Sequence, residues 1–191
     1  MNLPKGFVSG SVAAGLKSTG ALDLTLIQNL GPKFDSAAVF TSNKVVAAPV
    51  IWSRQVAKGG VVRGVVLNSG GANACTGPQG FADTHKTAEH VGALLNVSAG
   101  EVIVCSTGLI GELLPMEKIL KGLDLIAPNL STDSLETSAR AIMTTDSVPK
   151  IATASAHGVE FAGIAKGAGM LAPALATMLS VVMTDAVVSG K

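Results

Sequence analysis

Short runs of β-branched and aliphatic residues, closed by glycine or other turn formers, alternate along this chain with segments of helical period. That alternation restricts the fold to layers of sheet and helix. Residues 21–28 (ALDLTLIQ) alternate apolar and polar side chains, as a half-buried strand does. Residues 64–68, 101–106 and 159–164 are β-branched runs bounded by turn residues, and each predicts a strand. Residues 78–95 predict a helix with Phe81, Ala88, Val91 and Leu95 near one face. Residues 133–143 predict a second, with Asp133 as its cap, Glu136 three residues on, and Leu135, Ala139, Ile142 and Met143 facing inward. Residues 179–184 (LSVVMT) predict a core strand close to the end of the sequence. No repeat, charge block or low-complexity linker divides the chain. The expected fold is α/β (α+β), one continuous body spanning residues 1–191 that reads as an incomplete domain.

Composition narrows the function. The formal net charge is +1 with 14% charged residues, so no basic stripe is available for a phosphate backbone. Aromatic residues make up 3% of the chain, and Tyr is absent, which removes stacking platforms for bases. No nucleic-acid partner is expected. The uncharged run 168–184 is shorter than the roughly 20 apolar residues of a spanning helix, and Pro173 interrupts it, so no membrane span is expected either. The first residues do not read as a signal peptide. Cys75 and Cys105 read as buried free thiols of a cytoplasmic protein.

His85 and His90 stand five residues apart on a helix and diverge around its axis, so they read as exposed side chains rather than metal ligands. His157 precedes Gly158 in a turn. No metal site is expected. Cys75 stands in NACTG, where a helix N-terminus could activate a thiol, but no base is indicated. Residues 167–172 (GAGMLA) match G-x-G-x-x-A after a strand, the pattern of a dinucleotide-binding turn. Pro173 follows closely, and Asp185 falls at the wrong end of its strand to hold a ribose. Two further glycine-rich runs, 67–73 (LNSGGAN) and 106–111 (STGLIG), follow strands and could turn backbone N–H groups toward a ligand oxygen.

The segments GFVSGSVAAGLKSTGALDL, AAVFTSNKVVAAPV, NSGGANACTG, STGLIGELLP, MTTDSVPK and KGAGMLAPALATML, in this order, resemble the bifunctional ornithine acetyltransferases of the ArgJ family. The resemblance covers essentially the whole chain and departs at Gly71, where many members carry Asn. It implies a precursor about twice this long that cuts itself between Ala176 and Thr177. Residues 1–176 would then be the α chain and 177–191 the start of the β chain. The resemblance makes Thr177 the nucleophile. It assigns the Thr107 hydroxyl and the Gly108 N–H to an oxyanion hole, and Thr144, Thr145 and Lys166 to substrate binding, with one of the two threonines in contact.

A Thr hydroxyl needs a base, and the α-amine freed by cleavage, which ordinarily titrates at about 7.7–8.0, can serve as one. A Lys ammonium suits an α-carboxylate; read without the resemblance, Lys166 would be a solvated surface charge. The implied reaction moves acetyl from N2-acetylornithine to glutamate through an acetyl-threonine, with no cofactor. Some members also take acetyl from acetyl-CoA. The family assembles as an (αβ)2 heterotetramer, and its pocket draws on the β chain, so residues 1–191 alone are expected to be inactive. Two other readings are a related self-cleaving aminopeptidase or hydrolase, and a non-catalytic nucleotide-binding module built on GAGMLA.

Overall fold

The computed structural model describes residues 2–169 and 177–188. Its first sheet has four strands in the order β1 (Phe7–Val12), β2 (Leu24–Asn29), β3 (Gly64–Gly71) and β4 (Val102–Leu109). β1 to β3 pair antiparallel, and β3 and β4 pair parallel. A parallel pair needs a crossover, and helix α2 (Gly77–Leu95) supplies it. Helices α1 (Ala48–Lys58), α3 (Met116–Ile126) and α4 (Leu135–Ala141) complete the helical set. A second sheet is formed by β5 (Lys150–Ala156), β6 (Val159–Lys166) and β7 (Leu179–Thr184), all antiparallel.

The strand period explains the layering. Leu24 and Leu26 of β2, Val66 of β3, and Val102 and Val104 of β4 pack with Ala88 and Val91 of α2 and Ile119 and Leu123 of α3. Ile27 and Leu67 belong to a separate core with Leu135, Ala139 and Ile142 around α4 and Ala162, Ile164 and Met183 of the second sheet. The four-stranded sheet is therefore covered on both faces. Thr25, on the polar phase of the alternation, is fully buried, so β2 is not half-buried as its pattern predicts. Its hydroxyl is satisfied at 2.9 Å by both the Gly10 carbonyl and the Ser138 hydroxyl of α4. Polar residues suit a buried face when hydroxyls pair in this way.

α1 covers the β4 edge. The Ser53 hydroxyl donates to the Val104 carbonyl at 2.8 Å and accepts from the Val104 N–H at 3.1 Å, while Trp52 Nε1 donates to the Val102 carbonyl at 3.0 Å. Side chains thus complete the bonding of an edge that would otherwise invite pairing.

Several sequence expectations need correction. The α4 N-cap is Ser134, and Asp133 instead accepts a short hydrogen bond from the Ser131 hydroxyl. Phe81 is 39% exposed, against the edge of Trp52, because it sits at the solvent-side margin of the α2 stripe. β7 is an edge strand; Met183 is buried but Val182 is 71% exposed. Cys75 is exposed rather than buried. Cys105 is half-buried rather than fully buried, and desolvation pushes its thiol up to about 12. His157 and Gly158, both at positive φ, form the β5–β6 turn.

Candidate functional site

β3 and β4 end side by side, with Ser69 opposite Thr107 and Gly70 opposite Gly108. The register becomes irregular at Gly70 and Gly71, as at a bulge. Gly108 has φ +132°, and a Cβ there would fall 2.4 Å from the Gly70 carbonyl carbon and 2.6 Å from the Gly71 nitrogen. Two backbones are in direct contact, which only glycine permits. At Gly71 a Cβ would meet the end of the Leu114 side chain at 2.7 Å, a contact that a shift of that side chain can relieve.

Buried polar groups brace this strand end. Asn68 Nδ2 donates to the Gly71 carbonyl at 3.0 Å, and the Ser106 hydroxyl donates to Asn68 Oδ1 at 2.6 Å. Asp23 is fully buried and accepts the N–H groups of Ala14, Leu16 and Lys17 at 2.7, 2.6 and 3.1 Å. The loop it holds packs on the site, because a Cβ on Gly70 would lie 2.8 Å from the Leu16 carbonyl oxygen.

The second sheet brings Lys166, the last residue of β6, to Thr107. Lys166 Nζ donates to Thr107 Oγ1 at 3.1 Å and makes a short hydrogen bond to Thr144 Oγ1. Lys166 is 4% exposed and Thr107 2%, so Lys166 is not a solvated surface charge. Both candidate threonines are exposed, and Thr144 is the one that joins this cluster, through its bond from Lys166. Thr177 is described and half-buried; it lies two residues before Leu179, which pairs with Lys166 across the sheet. Ala176 lies outside the described residues, as do Met170, Leu171 and Ala172 of the GAGMLA run. The Gly167 N–H in that run, which a phosphate-binding turn would offer to its ligand, donates to Asp146 Oδ1 at 2.8 Å.

Asp146 is the residue that sequence reasoning missed. Its carboxylate is buried and also accepts the Thr144 N–H at 3.3 Å, a short bond from Lys150, and the charge of Lys166 at 3.9 Å. Burial opposes its ionisation, but the bonds from Lys150, Gly167 and Thr144 and the charge of Lys166 outweigh burial and hold it at about 2. Burial lowers the Lys166 pKa, Asp146 opposes that shift and Lys150 adds to it. Lys17 is likewise lowered by burial, with Asp23 opposing and Lys166 adding. Asp146 lies within the MTTDSVPK run, but an Asp among Thr, Ser and Pro ordinarily reads as a turn residue. Asp23 was equally hidden in the polar phase of a strand.

The arrangement offers an ammonium with two of its three N–H groups engaged by hydroxyls, beside a backbone held in close contact. It can bind an anionic group and present a hydroxyl and backbone donors to a developing negative charge. His85 and His90 are separately occupied, His85 against Glu89 at 3.8 Å and His90 with Asp124 at 2.7 Å. Among the described residues, no group of three or more His, Cys, Asp or Glu side chains is placed to hold a metal, and no helix is long and apolar enough to cross a membrane.

Known proteins share this architecture. The chain is similar to the ornithine acetyltransferase of Mycobacterium tuberculosis, solved in complex with ornithine, with a TM-score of 0.80 and 47% identity over 92% of this chain and 94% of that one. It is similar to the arginine biosynthesis bifunctional protein ArgJ of Bacillus halodurans, with a TM-score of 0.80 and 34% identity over 92% of each chain. Among curated proteins, the arginine biosynthesis bifunctional protein ArgJ of Streptomyces coelicolor is 58% identical over 95% of this chain and 48% of its own length. The corresponding protein of Mycobacterium tuberculosis is 54% identical over 96% of this chain and 47% of its own length. This chain thus spans about half the length of the curated relatives it matches. The family model described as "ArgJ family" matches residues 8–191, and the chain belongs to the ArgJ family.

Proposed function

We propose that this chain is the front half of an acetyltransferase that moves acetyl from N2-acetylornithine to glutamate in arginine biosynthesis. In the complete protein, the Thr177 hydroxyl attacks the Ala176 carbonyl, and water opens the resulting ester. Cleavage frees the Thr177 α-amine. That amine takes the hydroxyl proton as Thr177 attacks the acetyl carbonyl of N2-acetylornithine, and returns it to the departing ornithine nitrogen. Glutamate then attacks the acetyl-threonine and leaves as N-acetylglutamate. The Thr107 hydroxyl and Gly108 N–H stabilise the oxyanion in both half-reactions. Lys166 uses its remaining N–H for the substrate carboxylate, and Thr144 orients that ammonium.

The observation that carries the reading is the meeting of Lys166, Thr107 and Thr144 at the closed strand ends. The ornithine in the similar Mycobacterium tuberculosis structure is the amino acid released by the first half-reaction. Residues 177–191 would be the start of a β chain that completes the pocket and pairs with the α chain in an (αβ)2 assembly, so residues 1–191 alone would be inactive.

The test is N2-acetylornithine consumption by the complete protein with and without glutamate. Consumption only with glutamate is the expected result. Equal consumption without it would replace transfer by hydrolysis. Acetyl-CoA in place of N2-acetylornithine tests for a second donor in the same assay.

A further inference from the structure

One buried carboxylate organises the cluster. Asp146 holds the backbone N–H groups of Gly167, the residue after Lys166, and of Thr144, and its Oδ2 lies 3.9 Å from Lys166 Nζ. Lys166 in turn donates to Thr107 Oγ1 at 3.1 Å. An ammonium can only donate, so Thr107 Oγ1 is the acceptor in that bond and its own proton must point elsewhere. A neutral Lys166 amine could accept instead. The Thr107 proton would then turn toward Lys166, and the oxyanion would lose a donor.

Resting on the acetyl-transfer reading above, we propose that Asp146 is a positioning residue: it keeps Lys166 as the charged donor to Thr107 Oγ1, which turns the Thr107 hydroxyl proton outward to the developing oxyanion. No proton passes along the chain Asp146–Lys166–Thr107; the carboxylate only fixes the direction of the hydrogen bonds. The charged groups bearing on Lys166 are Asp146, which favours its charge, and Lys150, which disfavours it, with Lys17 a further cation coupled to it. Lys150 sits at the start of β5 and also donates to Asp146.

This predicts shifts of opposite sign. The Thr177 amine must be neutral to act, so it sets the acid limb of the kcat profile, and loss of the Lys166 charge sets the alkaline limb. The experiment measures kcat and KM for N2-acetylornithine across pH in the complete, self-cleaved enzyme. Asp146→Asn should lower kcat about tenfold at neutral pH, less than the 10²–10³-fold cost of losing an oxyanion donor outright. It should also move the alkaline limb down by about one pH unit, as expected when an opposite charge within about 4 Å is removed. Asp146→Glu should restore the limb. Lys150→Met, at a partly exposed site, should move it to higher pH. If Asp146→Asn fails to fold or to self-cleave, Lys150→Met decides alone. An alkaline limb unmoved in either variant that folds would overturn the role of Asp146. A wild-type enzyme without glutamate-dependent transfer would instead overturn the reading on which this role rests.

Discussion

The two sheets contribute to the site in different ways. In the four-stranded sheet both faces are covered, α1 closes the β4 edge with side-chain hydrogen bonds, and Gly108 lies against the Gly70–Gly71 backbone. In the three-stranded sheet one face packs on α4, while β5 is largely exposed and Val182 and Phe161 are 71% and 37% exposed. The first sheet offers Thr107 and Gly108, whose proposed task requires fixed donors. The second offers Lys166 and the start of β7, which follows Thr177. The proposed oxyanion site thus lies on the part of the molecule whose backbone is most constrained. Lys166 and the proposed nucleophile, Thr177, come from or adjoin the sheet with the lighter cover.

Substitutions test that contrast. The largest effect is expected at Gly108→Ala, where a methyl group would meet backbone rather than a yielding side chain. We expect a stability loss of about 4 kcal/mol or more, or failure to accumulate as folded protein, read by denaturant unfolding of the complete protein. A mild loss would mean that the strand ends are less constrained than their contact indicates. Thr107→Ala takes a buried acceptor from Lys166 and should cost about 1–3 kcal/mol of stability, and it should lower kcat about 10²–10³-fold, a loss of about 3–4 kcal/mol of transition-state stabilisation. An effect confined to KM would remove Thr107 from the oxyanion role.

Ser53→Ala strips the partner from both Val104 backbone groups and should cost about 1–3 kcal/mol of stability, measured by the unfolding midpoint. Val182→Thr, on the exposed outer face, should change stability by less than about 0.5 kcal/mol. If the two costs came out equal, the contrast in cover between the sheets would fail. Asp146 supplies a pH-dependent difference. Its folded pKa of about 2 lies below the ordinary value of 3.8, so its stabilisation is present above pH 4 and is lost as pH falls toward 2. The stability gap between wild type and Asp146→Asn should therefore close on acidification across that interval.

The sequence revealed strands through local composition. β2, β3, β4, β6 and β7 lie close to their predicted places, and α2 begins and ends within a residue of its expected span, because hydrophobic period and turn formers act locally. β1, β5, α1 and α3 were not picked out. β5 (KIATASA) is exposed and carries too few large apolar residues to show a pattern, and α1 owes its place to Ser53 and Trp52 bonding a strand edge. The candidate site was legible only through family motifs. Lys166 is buried by partners 22 and 59 residues away, Thr144 and Thr107, and no local pattern announces that meeting. Asp146 and Asp23 were silent for the same reason. A carboxylate bound by backbone N–H groups and a cation has the sequence signature of a solvated turn.

The central claim is that Thr177 carries the acetyl group, and intact-mass analysis of the complete protein tests it most directly. The account predicts two polypeptides, the second beginning at Thr177. Incubation with N2-acetylornithine should add the mass of one acetyl group to that second polypeptide, localised to Thr177, and glutamate should remove it with release of N-acetylglutamate. An uncut chain that still transfers acetyl, or an acetyl group found on a residue other than Thr177, would contradict the account.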